Sequence, residues 1–147
     1  MTIAGTFAPP DQRGSIRVLW ADDDPMIRSV MATNLEAEGF DVQTVSDGDE
    51  AYEAAVSSPP DVIVLDIMMP GRDGYEVLRA LRLNPGTAEV PVVLLSAKAT
   101  DAEVWEGWKA GADYYMTKPF NPTELTAFID HLLTGSSDTA LPVGAKA

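Results

Sequence analysis

Short unbroken apolar runs alternate along the chain with segments whose apolar residues recur every three or four positions. The runs Val18-Leu19-Trp20-Ala21, Val62-Ile63-Val64-Leu65 and Val90 to Leu95 are too short, and mostly too β-branched, for helices. They read as strands buried on both faces, the signature of a parallel sheet. The first strand covers Ile16 to Ala21. Asp24 then caps a helix with Pro25 at its first position, and Gly39 stops it. A short strand at Asp41 to Val45 precedes a helix from Asp47 to Val56, closed by Ser57-Ser58-Pro59-Pro60. The third strand, Asp61 to Leu65, is followed by a helix from Gly74 to Leu83 with Val77, Leu78 and Leu81 on its inner face, broken at Asn84-Pro85-Gly86.

The fourth strand, Val90 to Leu95, leads to a helix over Asp101 to Ala110 that ends at Gly111. Asp113 to Met116 is a short fifth strand. Asn121-Pro122-Thr123-Glu124 resembles a capping box and opens a last helix, in which Leu125, Phe128, Ile129 and Leu132 share one face. Five βα units in roughly 120 residues imply a doubly wound (βα)5 α/β domain, with a parallel sheet, helices on both faces and right-handed crossovers. The expected division is a disordered leader at 1–15, one folded domain at 16–134 and a flexible Gly/Ser/Ala-rich tail at 135–147.

The 147 residues contain no cysteine, which excludes disulfides, thiolate metal sites and thiol nucleophiles. No apolar stretch approaches the roughly 18 residues of a membrane span, and residues 1–14 lack the pattern of a signal peptide. A soluble cytoplasmic protein is the expectation, without membrane association. The formal charge is −13 and the pI about 4.2. The flanks are nearly neutral, Asp11 offsetting Arg13 and Asp138 offsetting Lys146, so the acidity belongs to the folded part. It serves solubility and opposes direct nucleic-acid binding, which needs clustered Lys and Arg.

Candidate chemistry gathers at strand ends. Asp22 and Asp23 follow the first strand, Asp66 the third, Ser96 the fourth and Lys118 the fifth. In an open parallel sheet these positions share the carboxyl edge, where ligands bind. Crowded carboxylates there are costly unless a cation joins them or they take up protons. Three carboxylates with backbone carbonyl and water make an oxygen-only site suited to Mg²⁺. Asp66 suits a carboxylate nucleophile that would form an acyl phosphate, with Lys118 and the metal neutralising phosphoryl oxygens and the Ser96 hydroxyl hydrogen-bonding one of them. Pro119 favours an extended residue before it, which aims Lys118 inward.

Asp22-Asp23, the run Leu65-Asp66-Ile67-Met68-Met69-Pro70-Gly71-Arg72-Asp73-Gly74, Ser96-Ala97 and Lys118-Pro119-Phe120 together resemble the response-regulator receiver domain of two-component signalling, over Ile16 to Leu133. The resemblance implies a flavodoxin-like sheet of order 2-1-3-4-5. It implies Asp66 as acceptor of a phosphoryl group from a histidine kinase or histidine phosphotransfer protein. It implies Asp22, Asp23, Asp66 and the Met68 carbonyl as Mg²⁺ ligands, Ser96 as the hydroxyl switch and Tyr115 as the aromatic switch. The output would be a remodelled surface of the fourth helix, fifth strand and fifth helix, read by a downstream effector protein or by a second copy in a homodimer, with no fused output domain.

Other residues carry weaker signals. Tyr114 and Tyr115 face opposite ways on a strand, so one of them is core or helix-packed. Trp108 shares a helix face with Val104 and is expected in the core, whereas Trp105 belongs either to a partner or dimer contact or to ordinary packing. Trp20 is expected to be core, and His131, near the end of the last helix, a surface residue. Two other classes compete with the receiver. A Mg²⁺-dependent aspartyl-phosphate phosphatase or phosphotransferase, such as a haloacid-dehalogenase-like hydrolase, needs a second acid two residues after the nucleophile, where this chain has Met68. A pseudo-receiver that binds partners without phosphorylation is disfavoured by the intact acidic set.

Overall fold

The computed structural model describes residues 16–97, 101–118 and 121–134, excluding the side chains of 101–104 and 131–134. The expected leader and tail, Pro119 and Phe120, and the side chains of Val104, His131 and Leu132 lie outside the described residues. Five strands, β1 (Arg17–Ala21), β2 (Asp41–Val45), β3 (Val62–Asp66), β4 (Val92–Ser96) and β5 (Tyr114–Thr117), alternate with five helices. These are α1 (Pro25–Ala37), α2 (Gly48–Ser57), α3 (Gly74–Leu83), α4 (Asp101–Ala110) and α5 (Pro122–Thr134). All the strand pairs are parallel and the order is β2-β1-β3-β4-β5. Register pairs Ala21 with Leu65, Asp66 with Leu95 and Ser96 with Thr117, so the polar residues that end or follow β1, β3, β4 and β5 come out along one edge.

Alternation along the central strands builds two cores. Leu19, Ile63, Leu65, Leu94 and Tyr115 pack with Ala51 and Ala55 of α2 and Val77, Leu78 and Leu81 of α3. Val18, Trp20, Val62, Val64, Leu95 and Tyr114 face the other way, toward Met31 and Leu35 of α1 and Leu125, Phe128 and Ile129 of α5. β3 and β4 are buried along their whole length, which is why they read as unbroken apolar runs. The two tyrosines therefore sit in different layers: Tyr114 stacks on Phe128 at 3.7 Å between centroids, and Tyr115 lies in the α2–α3 layer. Trp20 is in the core as expected, but Trp108 is only half-buried, a correction to its core reading.

Helix starts follow their caps. The Asp24 carboxylate accepts from the N–H groups of Met26 and Ile27, ahead of Pro25. Asp47 caps α2 through Glu50 N–H, so the helix begins one residue later than the pattern suggests. At α3, Asp73 and Glu76 form a reciprocal capping box. The fourth strand starts at Val92 because Pro91 has no N–H to give the ladder. Val90 is instead held in a turn by its N–H to Thr87. Asp113 is not part of β5: its carboxylate accepts from Val92 N–H and pairs with Arg82 at 3.0 Å.

The arginines among the described residues are engaged within the fold. Arg17 donates to the carbonyls of Ser58 and Pro59, and Arg28 to that of Asp22. Arg72 pairs with Asp49 and Arg79 with Glu106. Arg82 donates to the carbonyls of Gly111, Thr87, Ala88 and Val90 as well as to Asp113.

Candidate functional site

The chain emerging from β1 places Asp22 in the interior and Asp23 at the surface. Asp22 is held at every polar atom but one. Its N–H donates to Val45 at 3.2 Å, its carbonyl accepts from Arg28 at 2.7 Å, and Oδ1 accepts from Asp24 N–H at 3.0 Å. Oδ2 is buried without a hydrogen bond, 3.2 Å from the Lys118 ammonium. Asp66 is the last residue of β3 and is 4% exposed. Its Oδ1 accepts from Met68 N–H at 3.2 Å and its Oδ2 from Lys118 Nζ at 2.9 Å.

Lys118 enters just after β5, its backbone N–H donating to the Ser96 carbonyl at 2.7 Å. That bond ties it to the end of β4, where Ser96 is buried. The structure thus brings Asp22, Asp23, Asp66 and Lys118 together, with Ser96 on the neighbouring strand end. Met68 follows in the loop with an exposed side chain, so only its backbone can serve the site. Tyr115 is 2% exposed, one layer beneath on β5. Trp105 stands out on α4, 63% exposed.

The electrostatics are those of crowded acids. Burial pushes the Asp66 carboxyl up to about 6, the Asp22 charge adds to the rise, and the hydrogen bond and charge of Lys118 oppose it. Burial lowers the Lys118 ammonium's pKa, but the hydrogen bond and charge of Asp66, with Asp22 behind it, prevail and leave it above its ordinary value. The Lys118 ammonium pairs with two of three carboxylates, Asp22 and Asp66, and the three, with Asp23, each offer an oxygen within 4.8 Å of the others. The buried Oδ2 of Asp22, which has an ion-pair contact with Lys118 but no hydrogen bond, and the all-oxygen donor set fit a hard divalent cation such as Mg²⁺.

Two supporting features escape the sequence pattern. Arg28 looks like an ordinary helix-surface residue, yet it fixes the Asp22 backbone. Gly48 and Arg72 meet where α2 begins. The one hint of this is a glycine at the first position of a helix, where it gives up backbone entropy for no local gain.

A twisted parallel sheet of order 2-1-3-4-5 with an acidic carboxyl edge defines a flavodoxin-like fold of the CheY type. Residues 18–130 match the family model for the response regulator receiver domain, and the chain belongs to that family. It is 42% identical over 130 residues to the DNA-binding dual master transcriptional regulator RpaA of Synechocystis, covering 88% of this chain and 53% of the relative. It is 40% identical over 122 residues to the DNA-binding response regulator MtrA of Mycolicibacterium smegmatis, covering 83% and 52%. The chain thus spans about half the length of these curated relatives. Among solved structures, the receiver domain of the Francisella response regulator 1452 superposes with a TM-score of 0.76 at 38% identity, covering 82% of this chain and 98% of that one. Vibrio cholerae CheY4 gives 0.76 at 32% identity, covering 80% and 98%. Members of this family are signalling modules of two-component systems rather than classical enzymes. No helix among the described residues is long and apolar enough to cross a membrane.

Proposed function

We propose that Asp66 accepts a phosphoryl group from a histidine kinase or histidine phosphotransfer protein, and that the change in charge resets a surface some distance away. The observation that carries this reading is the Lys118 ammonium set between Asp66 at 2.9 Å and Asp22 at 3.2 Å, on a buried strand end. A carboxylate oxygen of Asp66 attacks phosphorus, the phosphorus–nitrogen bond to the donor imidazole breaks, and an acyl phosphate remains. Only ionised Asp66 is a nucleophile; burial and the Asp22 charge raise its pKa in the metal-free site, and a bound divalent cation would favour the ionised form. Lys118 stays protonated and exchanges part of its contact with Asp66 for a phosphoryl oxygen. Asp22, Asp23, Asp66 and the Met68 carbonyl would hold Mg²⁺, which would supply neutralisation of phosphoryl charge.

Ser96 is the hydroxyl that turns to the phosphoryl group, and Tyr115 the ring whose packing reports it to α4, β5 and α5. The reader is a downstream effector or a second copy of the chain, and the location is cytoplasmic. The relatives' names point to transcriptional control as the output class. With a charge of −13, this domain would serve such control without touching DNA itself.

Acetyl phosphate with Mg²⁺ is expected to add one phosphate per chain, seen by intact mass, and Asp66→Asn to abolish it. Labelling that survives in the variant would move the acceptor elsewhere. Steady turnover of an unrelated phosphomonoester would point to a hydrolase, and absence of labelling by any donor to a phosphorylation-independent module. Trp105→Ala is expected to weaken effector binding or self-association about tenfold, as for an exposed aromatic anchor. Unchanged affinity in both assays would remove Trp105 from the output surface.

A further inference from the structure

The loop between β3 and α3 carries Met68 and lies against the first turn of α2. Gly48 N–H donates to the Pro70 carbonyl at 3.2 Å. A β-carbon at Gly48 would stand 1.9 Å from the Arg72 carbonyl oxygen, so only glycine lets the two backbones come this close. Arg72 then reaches back over the same helix. Its Nε meets Asp49 at 3.2 Å, and its guanidinium lies 4.8 Å from the centre of the Tyr52 ring. Gly71, at φ +74, makes the turn that allows this, and a β-carbon there would stand 2.8 Å from the Asp49 carboxylate. The other end of the loop is as tight: Gly74 N–H donates to Ile67 at 2.9 Å, and a β-carbon at Gly74 would meet the Asp66 carbonyl oxygen at 2.7 Å. The loop is thus fixed at both ends, by the phosphoacceptor's own backbone and by α2.

We propose that Gly48, Asp49 and Arg72 are positioning residues for the cation site: the first turn of α2 is a wall that presets the backbone of the Met68 loop as a ligand. A carbonyl ligand has no charge to draw the ion in, so its contribution depends on being held where the ion needs it. Mg²⁺ is the demanding case, because it tolerates little departure from octahedral geometry. None of the three belongs to the cluster of Asp22, Asp23 and Asp66, and they would act through the loop, as outer supports do in other metal sites. The proposal rests on the receiver reading, which supplies the cation.

The test is calorimetric titration of the whole chain with Mg²⁺, at a temperature where circular dichroism shows each variant fully folded. Gly48→Ala is expected to raise the Mg²⁺ Kd about tenfold, the lower range for loss of an outer support. Arg72→Met is expected to raise it about threefold, in keeping with a partly exposed pair. Adding Asp49→Asn to Arg72→Met should raise it no further, since both remove one contact. If Gly48→Ala does not fold, Arg72→Met and the double variant decide. A lowered melting temperature with Kd unchanged would make the clamp purely structural and overturn the proposal. Wild-type protein that binds no Mg²⁺ and takes no phosphoryl group from acetyl phosphate would instead overturn the receiver reading itself.

Discussion

In Mg²⁺-free buffer at pH 7, Asp66→Asn is expected to be more stable than the wild-type protein by about 3 kcal/mol, because the fold raises this carboxyl from 3.8 to about 6. Between those values the native state holds a proton that the unfolded chain has already released. Stability attributable to Asp66 is therefore fully present below about pH 4, falls as pH rises, and is lost above about pH 6. Asparagine keeps the shape and removes the charge, so the two proteins should converge near pH 4 and separate toward pH 6. Urea denaturation of both in EDTA from pH 4 to 8 measures the gap. A gap that does not change with pH would show that Lys118 balances burial and the Asp22 charge, and a variant less stable at pH 7 that it outweighs them. Saturating Mg²⁺ should reverse the order, since ligand that binds only the native wild-type site stabilises it by mass action.

Arg82→Met is expected to cost about 3 kcal/mol, the loss of several charge-assisted bonds from a mostly buried guanidinium. Arg82 leaves α3 and gathers the turn before β4 and the turn before β5 under one planar group. Two of its nitrogens bind the Gly111 carbonyl, at 3.1 and 2.8 Å, and a third binds that of Val90 at 2.7 Å. Methionine keeps the stem's packing and returns those carbonyls to water or to nothing. Asp113→Asn should cost less, because its side-chain oxygen can still accept from Val92 N–H. Urea unfolding at pH 7 reads both. A loss below about 1 kcal/mol for Arg82→Met would place it among ordinary surface ion pairs.

The site was legible because chemistry and topology coincide in this fold. Asp22, Asp66, Ser96 and Lys118 each follow an apolar run, and parallel strands bring such ends to one edge. Periodicity also fixed that Tyr114 and Tyr115 face apart, but not which ring goes to which layer; that depends on Phe128 stacking on Tyr114. Strand starts depart from the apolar pattern where side chains take over from the ladder, at Pro91 and at Asp113. Arg82 and Arg72 were invisible because a charged residue on an amphipathic helix or in a turn looks solvated. Their partners are backbone carbonyls or residues at least twenty positions away in sequence. Arg28 is hidden from the pattern for the same reason. It answers a carbonyl, and carbonyls leave no mark in a pattern of side chains.

The inward engagement of the arginines has a kinetic consequence. With a formal charge of −13, and with the arginines among the described residues already paired with the chain's own carbonyls and carboxylates, the chain presents an incoming molecule with mostly unanswered negative charge. A partner with a basic face is steered in, and its association rate falls as salt is added. A second copy of the chain is held off at low salt and meets its twin faster once ions screen the repulsion beyond about 10 Å, the screening length near 0.1 M.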